Sequence, residues 1–300
     1  MSEQTDRPST AEIVERRRRR RPPVLAAASG AFLALLLAFA AFGPPLLRDR
    51  ALEQNLDLRF VPAFSTDHGF WFLLGADGLG RSMLARLIVG SRTTLLDAVC
   101  AVALACLIGF LIGTVSGYAG GWFDAMTMRL GDVIMTFPSL LLALAVLYVL
   151  SPGELSLIFV LAVTRIPVFL RTTRALTLEI RQRTFVEAAQ AMGARPLRVL
   201  RREIRPLVVP TLLTIAMLDL AIVMLAAAGL SFLGVGLQPP AISWGLMVAE
   251  GRDYLTQAWW VTFFHGLAIV ATAFAANVLS NHYRTAKDPM QAPRKRGRRS

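Results

Sequence analysis

Residues 171–206 read RTTRALTLEIRQRTFVEAAQAMGARPLRVLRREIRP, a basic segment that separates two strongly apolar stretches. Nine of its residues are arginines, at positions 171, 174, 181, 183, 195, 198, 201, 202 and 205. A segment with this many charges cannot lie in hydrocarbon, because each buried charge is costly there. Its neighbours, in contrast, are apolar enough to cross a membrane.

The composition places the chain among membrane proteins. Hydrophobic residues make up 55% of its 300 residues, and the mean hydropathy is +0.53, so the apolar share exceeds that of ordinary soluble domains. Several apolar runs approach or exceed the ~20 residues that a helix needs to cross ~30 Å of hydrocarbon. The runs are uninterrupted and do not alternate with polar residues, so they predict helices and not a barrel.

The apolar runs predict an all-α membrane protein with six transmembrane helices, at residues 24–42, 95–116, 130–150, 155–170, 207–237 and 259–279. Around these spans the chain divides into a basic N-terminal segment 1–23, an external segment 43–94, a five-helix core 95–281 and a basic tail 282–300. An amphipathic helix is predicted at 83–96, and Pro138 predicts a bend in the third span. A cleaved signal peptide is disfavoured for the first run, because that run exceeds the usual core of about 7–15 residues.

The distribution of arginines predicts the orientation. A run of six arginines, Arg16 to Arg21, precedes the first span, and the segment 171–206 carries nine more, whereas the loop between spans five and six carries Arg252 alone. Because basic residues collect on the cytoplasmic side, we predict that both termini and the segment 171–206 are cytoplasmic. The net charge of +12 is explained in this way, so we predict contact with membrane lipid and no nucleic-acid partner.

The basic segment has a helical pattern of its own. The fourth span is expected to continue as a helix to about residue 180, and a short helix is predicted at 184–192, ended by Gly193. A third helix, at 197–204, would return the chain to the membrane at Pro206. A short cytoplasmic helix with small and apolar residues on its surface is suited to docking, although a loop whose arginines only set the topology is the alternative.

These residues carry a family resemblance. Glu187-Ala188-Ala189, followed by Gly193 and Pro206, resembles the EAA loop of inner-membrane permease subunits of binding-protein-dependent ABC importers, and more narrowly the C-type permease of the dipeptide/oligopeptide/nickel family. Further matching motifs are Gly75-x-Asp77-x-x-Gly80-Arg81, Gly117-Tyr118-x-Gly120-Gly121-Trp122-x-Asp124, Met128-Arg129-x-x-Asp132, Phe137-Pro138-Ser139, Gly229-Leu230-Ser231-Phe232-Leu233-Gly234, Gln238-Pro239-Pro240, Ser243-Trp244-Gly245 and Asp288-Pro289. The set covers most of residues 75–290.

The resemblance implies a type I ABC importer permease fold, in the inner membrane, and a function as half of the translocation pathway for peptides or a related small solute. It implies that Glu187, Ala188, Ala189, Gly193 and Pro206 couple the chain to a cytoplasmic ATPase. It also implies a second homologous permease, two ATPase subunits or domains, and an extracytoplasmic solute-binding protein as partners. ATP and Mg would be bound by the ATPases, with no cofactor in this chain.

Departures from the family pattern occur at a few positions. Arg205 stands where a leucine precedes the closing proline, and Arg165 stands where an apolar residue is usual. Ala227 replaces a common acid, while Thr184 and Ser82 replace aspartates. These changes could alter partner fit or substrate range, but they leave the EAA loop in place.

Two sets of residues inside the spans are candidates for packing or for the pathway. Gly109, Gly113 and Gly117 recur every four residues, a period that lets a second helix approach closely. Asp219 lies twelve residues beyond Leu207, roughly 18 Å deep by helical rise, and Arg165 could pair with it. A buried carboxylate in a span marks a pathway by default, and a packing role is the alternative.

The sequence contains no recognisable catalytic or ATP-binding motif. It contains no G-x-x-x-x-G-K-[ST] phosphate loop, its histidines are scattered, and Cys100 and Cys106 carry no disulfide or metal signal. We therefore predict no catalytic residues and no metal site, and hence no enzymatic activity. A self-sufficient secondary transporter or channel is the alternative function, but it would need coupling groups such as several buried acids.

Overall fold

The computed structural model of the protein describes residues 23–151 and 153–287 and is almost entirely helical. The predicted basic N-terminus, through residue 22, and the tail from residue 288 lie outside the described residues. Within these ranges the α-helices, numbered in chain order, are α1 Pro23–Leu52, α2 Met83–Ala119, α3 Gly121–Thr136, α4 Ser139–Leu150, α5 Glu154–Arg181, α6 Thr184–Ala191, α7 Pro196–Val199, α8 Arg205–Phe232, α9 Trp244–Gly251 and α10 Trp259–Lys287.

The all-α membrane fold predicted from the sequence is confirmed. Helices α1, α2, α5 and α10 and the run from α7 through α8 are each long and apolar enough to cross a membrane, and a sixth crossing results if α3 and α4 form one span. These two helices meet at 93°. The segment predicted as the third span, 130–150, is therefore sharply bent between Thr136 and Ser139.

The break between α3 and α4 has a local cause. Pro138 lacks an amide hydrogen, and a residue before proline is pushed out of the helical region. Phe137 is accordingly extended, with φ −88° and ψ 137°. The sequence predicted a bend at this position but not its size, which depends on what α4 packs against.

The first helix is longer than the predicted span, 24–42. Helix α1 continues through Pro44 and Pro45 to Leu52. The continuation is stabilised by packing, because Ala51 is fully buried in an apolar cluster with residues of α2 and α9. Tertiary contacts thus outweigh the helix-breaking tendency of the two prolines.

Helix α2 joins two predicted elements. The amphipathic helix 83–96 and the span 95–116 form a single helix of 37 residues, about 55 Å long, which exceeds the ~30 Å of hydrocarbon. Ser82 caps its first turn by accepting a hydrogen bond from the Ala85 amide at 3.2 Å. The boundary drawn at residues 94/95 therefore falls within one continuous element.

The packing core lies between α2, α5 and α8. Helices α2 and α5 make the most extensive contact in the described chain, and α10 packs on α8 and α9. The two last predicted spans differ from the structure at their ends, since α8 stops at Phe232 and α10 continues to Lys287. Helix α6 follows the C-terminal end of α5 and contacts Tyr118, near the end of α2.

Candidate coupling helix and intramembrane ion pair

Helix α6 is a short helix with most of its surface exposed. Val186 is its buried residue and belongs to the same apolar cluster as Val199 and Ile204. Glu187 and Ala188 are exposed, and Ala189 is half-buried. The free face of α6 therefore combines a carboxylate with small side chains, and one buried valine attaches the helix to the rest of the chain.

Gly193 ends this helix in a left-handed conformation. Its φ is +80°, and its amide donates to the Gln190 carbonyl at 2.9 Å while the Ala194 amide donates to the Ala189 carbonyl at 3.0 Å. This pair of bonds is a Schellman motif, in which glycine is favoured because it has no Cβ. A Cβ at Gly193 would meet no atom within 4 Å, so backbone conformation, and not space, is what requires glycine.

The return to the membrane differs from the prediction. The helix expected at 197–204 begins as α7 and passes through a π-helical turn at Leu200–Ile204 directly into α8. The whole run from Pro196 to Phe232 has the character of one span. Pro206 therefore lies inside this helical run, directly after the π-helical turn.

Tyr118, near the end of α2, contacts both α5 and α6. Arg181, the last residue of α5, donates to the Tyr118 carbonyl at 2.6 Å, and its guanidinium lies 5.3 Å from the centre of the tyrosine ring. Gln190 of α6 donates to the Tyr118 hydroxyl at 3.3 Å. Sequence reasoning included Tyr118 in a family motif but gave it no role.

A polar network joins α2, α3 and α5 near the C-terminal end of α2. Asp124 of α3 accepts from Ser116 of α2 at 2.5 Å and from Arg174 of α5, whose Nε lies 2.9 Å from Asp124 Oδ1. A second bond joins Arg174 Nη2 to Asp124 Oδ2 at 2.5 Å. The guanidinium and carboxylate are thus paired through two bonds, which fixes the relative geometry of α3 and α5.

The three glycines of α2 lie against α5. A Cβ on Gly109 would come within 2.5 Å of Phe169 Cβ, one on Gly113 within 2.6 Å of the Leu170 carbonyl oxygen, and one on Gly117 within 2.7 Å of the Arg174 carbonyl oxygen. Any side chain would therefore push the helices apart. Together with the Asp124 network, this contact makes α2 and α5 a closely packed unit.

The structure brings Arg165 of α5 and Asp219 of α8 together. Arg165 Nε donates to Asp219 Oδ2 at 2.8 Å, and Nη2 contacts Oδ1. The Asp219 side chain is 4% exposed and that of Arg165 is 20% exposed. The pair therefore satisfies a carboxylate that would be costly alone, while the Arg165 side chain remains partly exposed.

A second ionic cluster was not predicted. Arg86 of α2 is 1% exposed, and its guanidinium donates to Asp77 at 3.1 Å and to Glu250 of α9 at 3.0 Å. Arg81 also pairs with Asp77, at 2.6 Å. The motif Gly75-x-Asp77-x-x-Gly80-Arg81 was the available signal, but sequence spacing alone could not connect it to an acid in α9.

One carboxyl group of α2 is buried without a visible partner. Asp97 is 2% exposed, and its Oδ1 has no hydrogen-bond partner among the described residues.

Within residues 23–151 and 153–287, no three His, Cys, Asp or Glu side chains are placed to hold a metal ion.

Residues 109–286, which contain both α6 and the Arg165–Asp219 pair, match the family described as binding-protein-dependent transport system inner membrane component. The chain belongs to this family. The resemblance predicted from the EAA motif is thereby confirmed, and the protein is a multi-pass permease subunit of the inner membrane, of the kind found in ABC importers.

This permease is similar to several transport-system permease proteins over most of its length. It is 36% identical to the Di/tripeptide transport system permease protein DppC of Pseudomonas aeruginosa (strain UCBPP-PA14), over 86% of each chain. It is 37% identical to the Probable D,D-dipeptide transport system permease protein DdpC of Escherichia coli (strain K12), over 86% of this chain and 85% of the relative. It is 39% identical to the Glutathione transport system permease protein GsiD of Escherichia coli O1:K1 / APEC, over 73% and 72%.

The fold of the permease also matches a solved structure. A chain of the MetNI methionine ABC transporter, in an inward-facing conformation, aligns with a TM-score of 0.57 and 19% identity, covering 69% of this permease and 98% of that chain. At this identity the likeness shows the fold alone. The helical arrangement is thus that of an ABC importer permease.

Proposed function

We propose that this permease forms half of the passage of an importer for peptides or a related small solute, and that α6 couples it to a cytoplasmic ATPase. The observation that carries the coupling role is the exposed α6, with Glu187 and Ala188 on its free surface and a Schellman turn at Gly193. The substrate class is supported by the relatives, whose names refer to di- and tripeptides, D,D-dipeptides and glutathione.

The proposed coupling follows the connections of α6. An ATPase that closes on ATP would displace α6, and α6 is attached to the end of α5 and, through Gln190, to Tyr118 of α2. Because α2 and α5 pack through glycines, they would move as a unit. The result would be alternating access, in which ATP and the binding protein bias two packings of the same helices.

The proposed passage includes the Arg165–Asp219 pair. A peptide carries an ammonium and a carboxylate, and this pair presents one group complementary to each. The partly exposed side chain of Arg165 would offer donors to a carboxylate, since guanidinium binds carboxylates through paired hydrogen bonds. Asp219 is available to a cation only when this pair opens.

The proposed assembly contains a second, homologous permease, two ATPase subunits or domains that hold ATP and Mg, and an external solute-binding protein. In this arrangement both termini and α6 face the cytoplasm. The permease provides passage and coupling, and tight recognition of the solute belongs to the binding protein, because specific pockets need several fixed polar groups.

Substitutions at Gly193 test the coupling role. Gly193→Val should reduce ATP-dependent import and weaken association with the ATPase, because a β-branched residue disfavours a φ of +80°. Gly193→Asn is the matched control, since asparagine tolerates this conformation and nothing lies within 4 Å of the site. Equal import by both variants would rule out the need for this turn in coupling.

Reconstitution tests the assembly. A binding protein loaded with a labelled dipeptide should stimulate ATP hydrolysis by the complete complex, while the permease alone should bind the dipeptide weakly in calorimetry. Glu187→Arg should abolish the stimulation and leave insertion of the permease in the membrane intact. Tight dipeptide binding by the permease alone would contradict the proposal and favour a secondary transporter.

A further inference from the structure

An apolar groove with a volume of about 950 Å³ lies between α2 and the run from α7 to α8. Its walls are formed by residues from Val99 to Val115 on one side and from Leu197 to Leu220 on the other. Leu107, Leu111 and Leu213 line it and are each at least half exposed. None of the described residues that line the groove is acidic.

Two arginines stand at one end of this groove. Arg201 and Arg205 lie four residues apart on the same helical run, both line the groove, and both are exposed. Neither pairs with an acid among the described residues, whereas Arg165 and Arg174 both do. The groove is therefore apolar along its length and carries two positive charges at one end.

One of these arginines departs from the family pattern described above. The family pattern has leucine before the closing proline, and here that position is Arg205. The departure has no part in the coupling surface of α6. Its effect is to add a second positive charge beside Arg201, at the end of the groove where the helical run leaves the apolar region.

We propose that this groove binds an anionic phospholipid, with its phosphate held by Arg201 and Arg205 and an acyl chain lying along α2 and α8. The length fits, because the sixteen-residue rise from Val99 to Val115 is about 24 Å, longer than one leaflet of a ~30 Å hydrocarbon layer. The charge fits as well. Basic pockets between transmembrane helices on the cytoplasmic side bind anionic head groups, and guanidinium matches phosphate geometry.

The bound lipid would act on the segment that carries motion from α6. Arg201 lies in the π-helical turn that connects α7 to α8, and α7 follows α6 after four residues. A phosphate bridging Arg201 and Arg205 would hold this turn at the level of the head groups. The cytoplasmic placement of Arg201 and Arg205 rests on the proposed function, but lipid binding itself is measured without import, so the two proposals can fail separately.

Native mass spectrometry of the purified transporter complex tests the head-group preference. The complex is exchanged into equal amounts of phosphatidylglycerol and phosphatidylcholine, and retained lipids are counted. The double variant Arg201→Gln/Arg205→Leu should lose the preference for phosphatidylglycerol, by roughly fivefold for each arginine removed. Arg198→Gln/Arg202→Gln is the matched control, because it removes the same charge from exposed residues that do not line the groove.

The result of this comparison supports or overturns the proposal. Loss of preference in the groove variant, with the control unchanged, supports a lipid held by Arg201 and Arg205. An equal loss in both variants would mean that phosphatidylglycerol is held by the general surface charge and not by this groove. That result would overturn the proposal. Absence of any preference in the unsubstituted complex would overturn the proposal directly.

The two cysteines test the position of the acyl chain. Cys106 lines the groove, while Cys100 is exposed on α2 outside it. Each is labelled with bimane after the other is changed to serine, and the complex is mixed with doxyl-labelled phosphatidylglycerol or phosphatidylcholine. Stronger quenching by phosphatidylglycerol is expected at Cys106 and not at Cys100. If neither lipid quenches Cys106, protein covers the groove and the proposal is wrong.

Discussion

The glycines of α2 show at the scale of single residues how this permease is held together. A Cβ at position 113 would lie 2.6 Å from the Leu170 carbonyl oxygen and 2.8 Å from Thr173 Cβ. Both atoms belong to α5, which packs closely against α2 along this face. We expect Gly113→Ala to lower the free energy of unfolding by about 1–3 kcal/mol, the usual cost of overpacking, as measured by thermal unfolding in detergent.

The control for this prediction is another helical glycine. A Cβ on Gly229 of α8 would meet nothing within 4 Å, so Gly229→Ala should leave stability unchanged or raise it slightly, because alanine loses less backbone freedom on folding. Equal destabilisation by the two substitutions would show that close approach at Gly113 is not the reason for glycine there.

The Arg165–Asp219 pair supports a second prediction at this scale. Arg165→Leu leaves a buried carboxylate unpaired and should destabilise the permease by about 3–5 kcal/mol. The double variant Arg165→Leu/Asp219→Leu should recover most of that loss, because it removes both charges. Unfolding of the single and double variants measures the effect.

Import separates the two roles left open for Asp219. If the pair belongs to the passage, the double variant should fold normally and yet import peptide poorly. Import at the unsubstituted rate by the stable double variant would assign the pair to helix packing alone.

At the scale of helices, apolar runs predicted most of the architecture because burial in hydrocarbon depends on local composition. The short helix α6 was predicted at 184–192 and is found at Thr184–Ala191, since Gly193 carries a local stop signal. Long-range packing could not be predicted in this way. The continuation of α1 past Pro45 depends on contacts with α2 and α9, and Arg86 finds Glu250 only after the chain folds.

A prediction about force transmission belongs to this scale. Tyr118→Ala removes the ring beside Arg181 and the hydroxyl bound to Gln190, two exposed contacts that together are worth about 1 kcal/mol. We expect ATP hydrolysis to persist while import per ATP falls roughly fivefold at most, since 1.4 kcal/mol corresponds to a factor of ten.

The ratio of import to hydrolysis is the informative readout for Tyr118. A purely structural defect would reduce both rates in proportion to the amount of assembled complex and leave the ratio unchanged. Tyr148→Ala is the matched control, because the Tyr148 side chain on α4 is 88% exposed and should affect neither quantity.

At the scale of the whole molecule, the α3–α4 pair decides the topology. If it crosses the membrane, reporters at Glu154 and Glu250 should read external, and reporters at Arg195 and in the C-terminal tail should read cytoplasmic. If instead α3 and α4 enter and leave on one side, Glu154 would read cytoplasmic and Arg195 external. The second outcome would place nine arginines outside, against the usual distribution of basic residues.

The ionic cluster around Arg86 has a consequence for biogenesis. Glu250 follows Arg86 by 164 residues, so at about 5–20 residues per second the ribosome needs roughly 10–30 seconds to supply it. During that interval Asp77, nine residues before Arg86, is the acid already synthesised. Asp77→Asn should therefore reduce the yield of newly inserted chains in a pulse-chase experiment, whereas Glu250→Gln should spare insertion and lower the melting temperature of the finished protein.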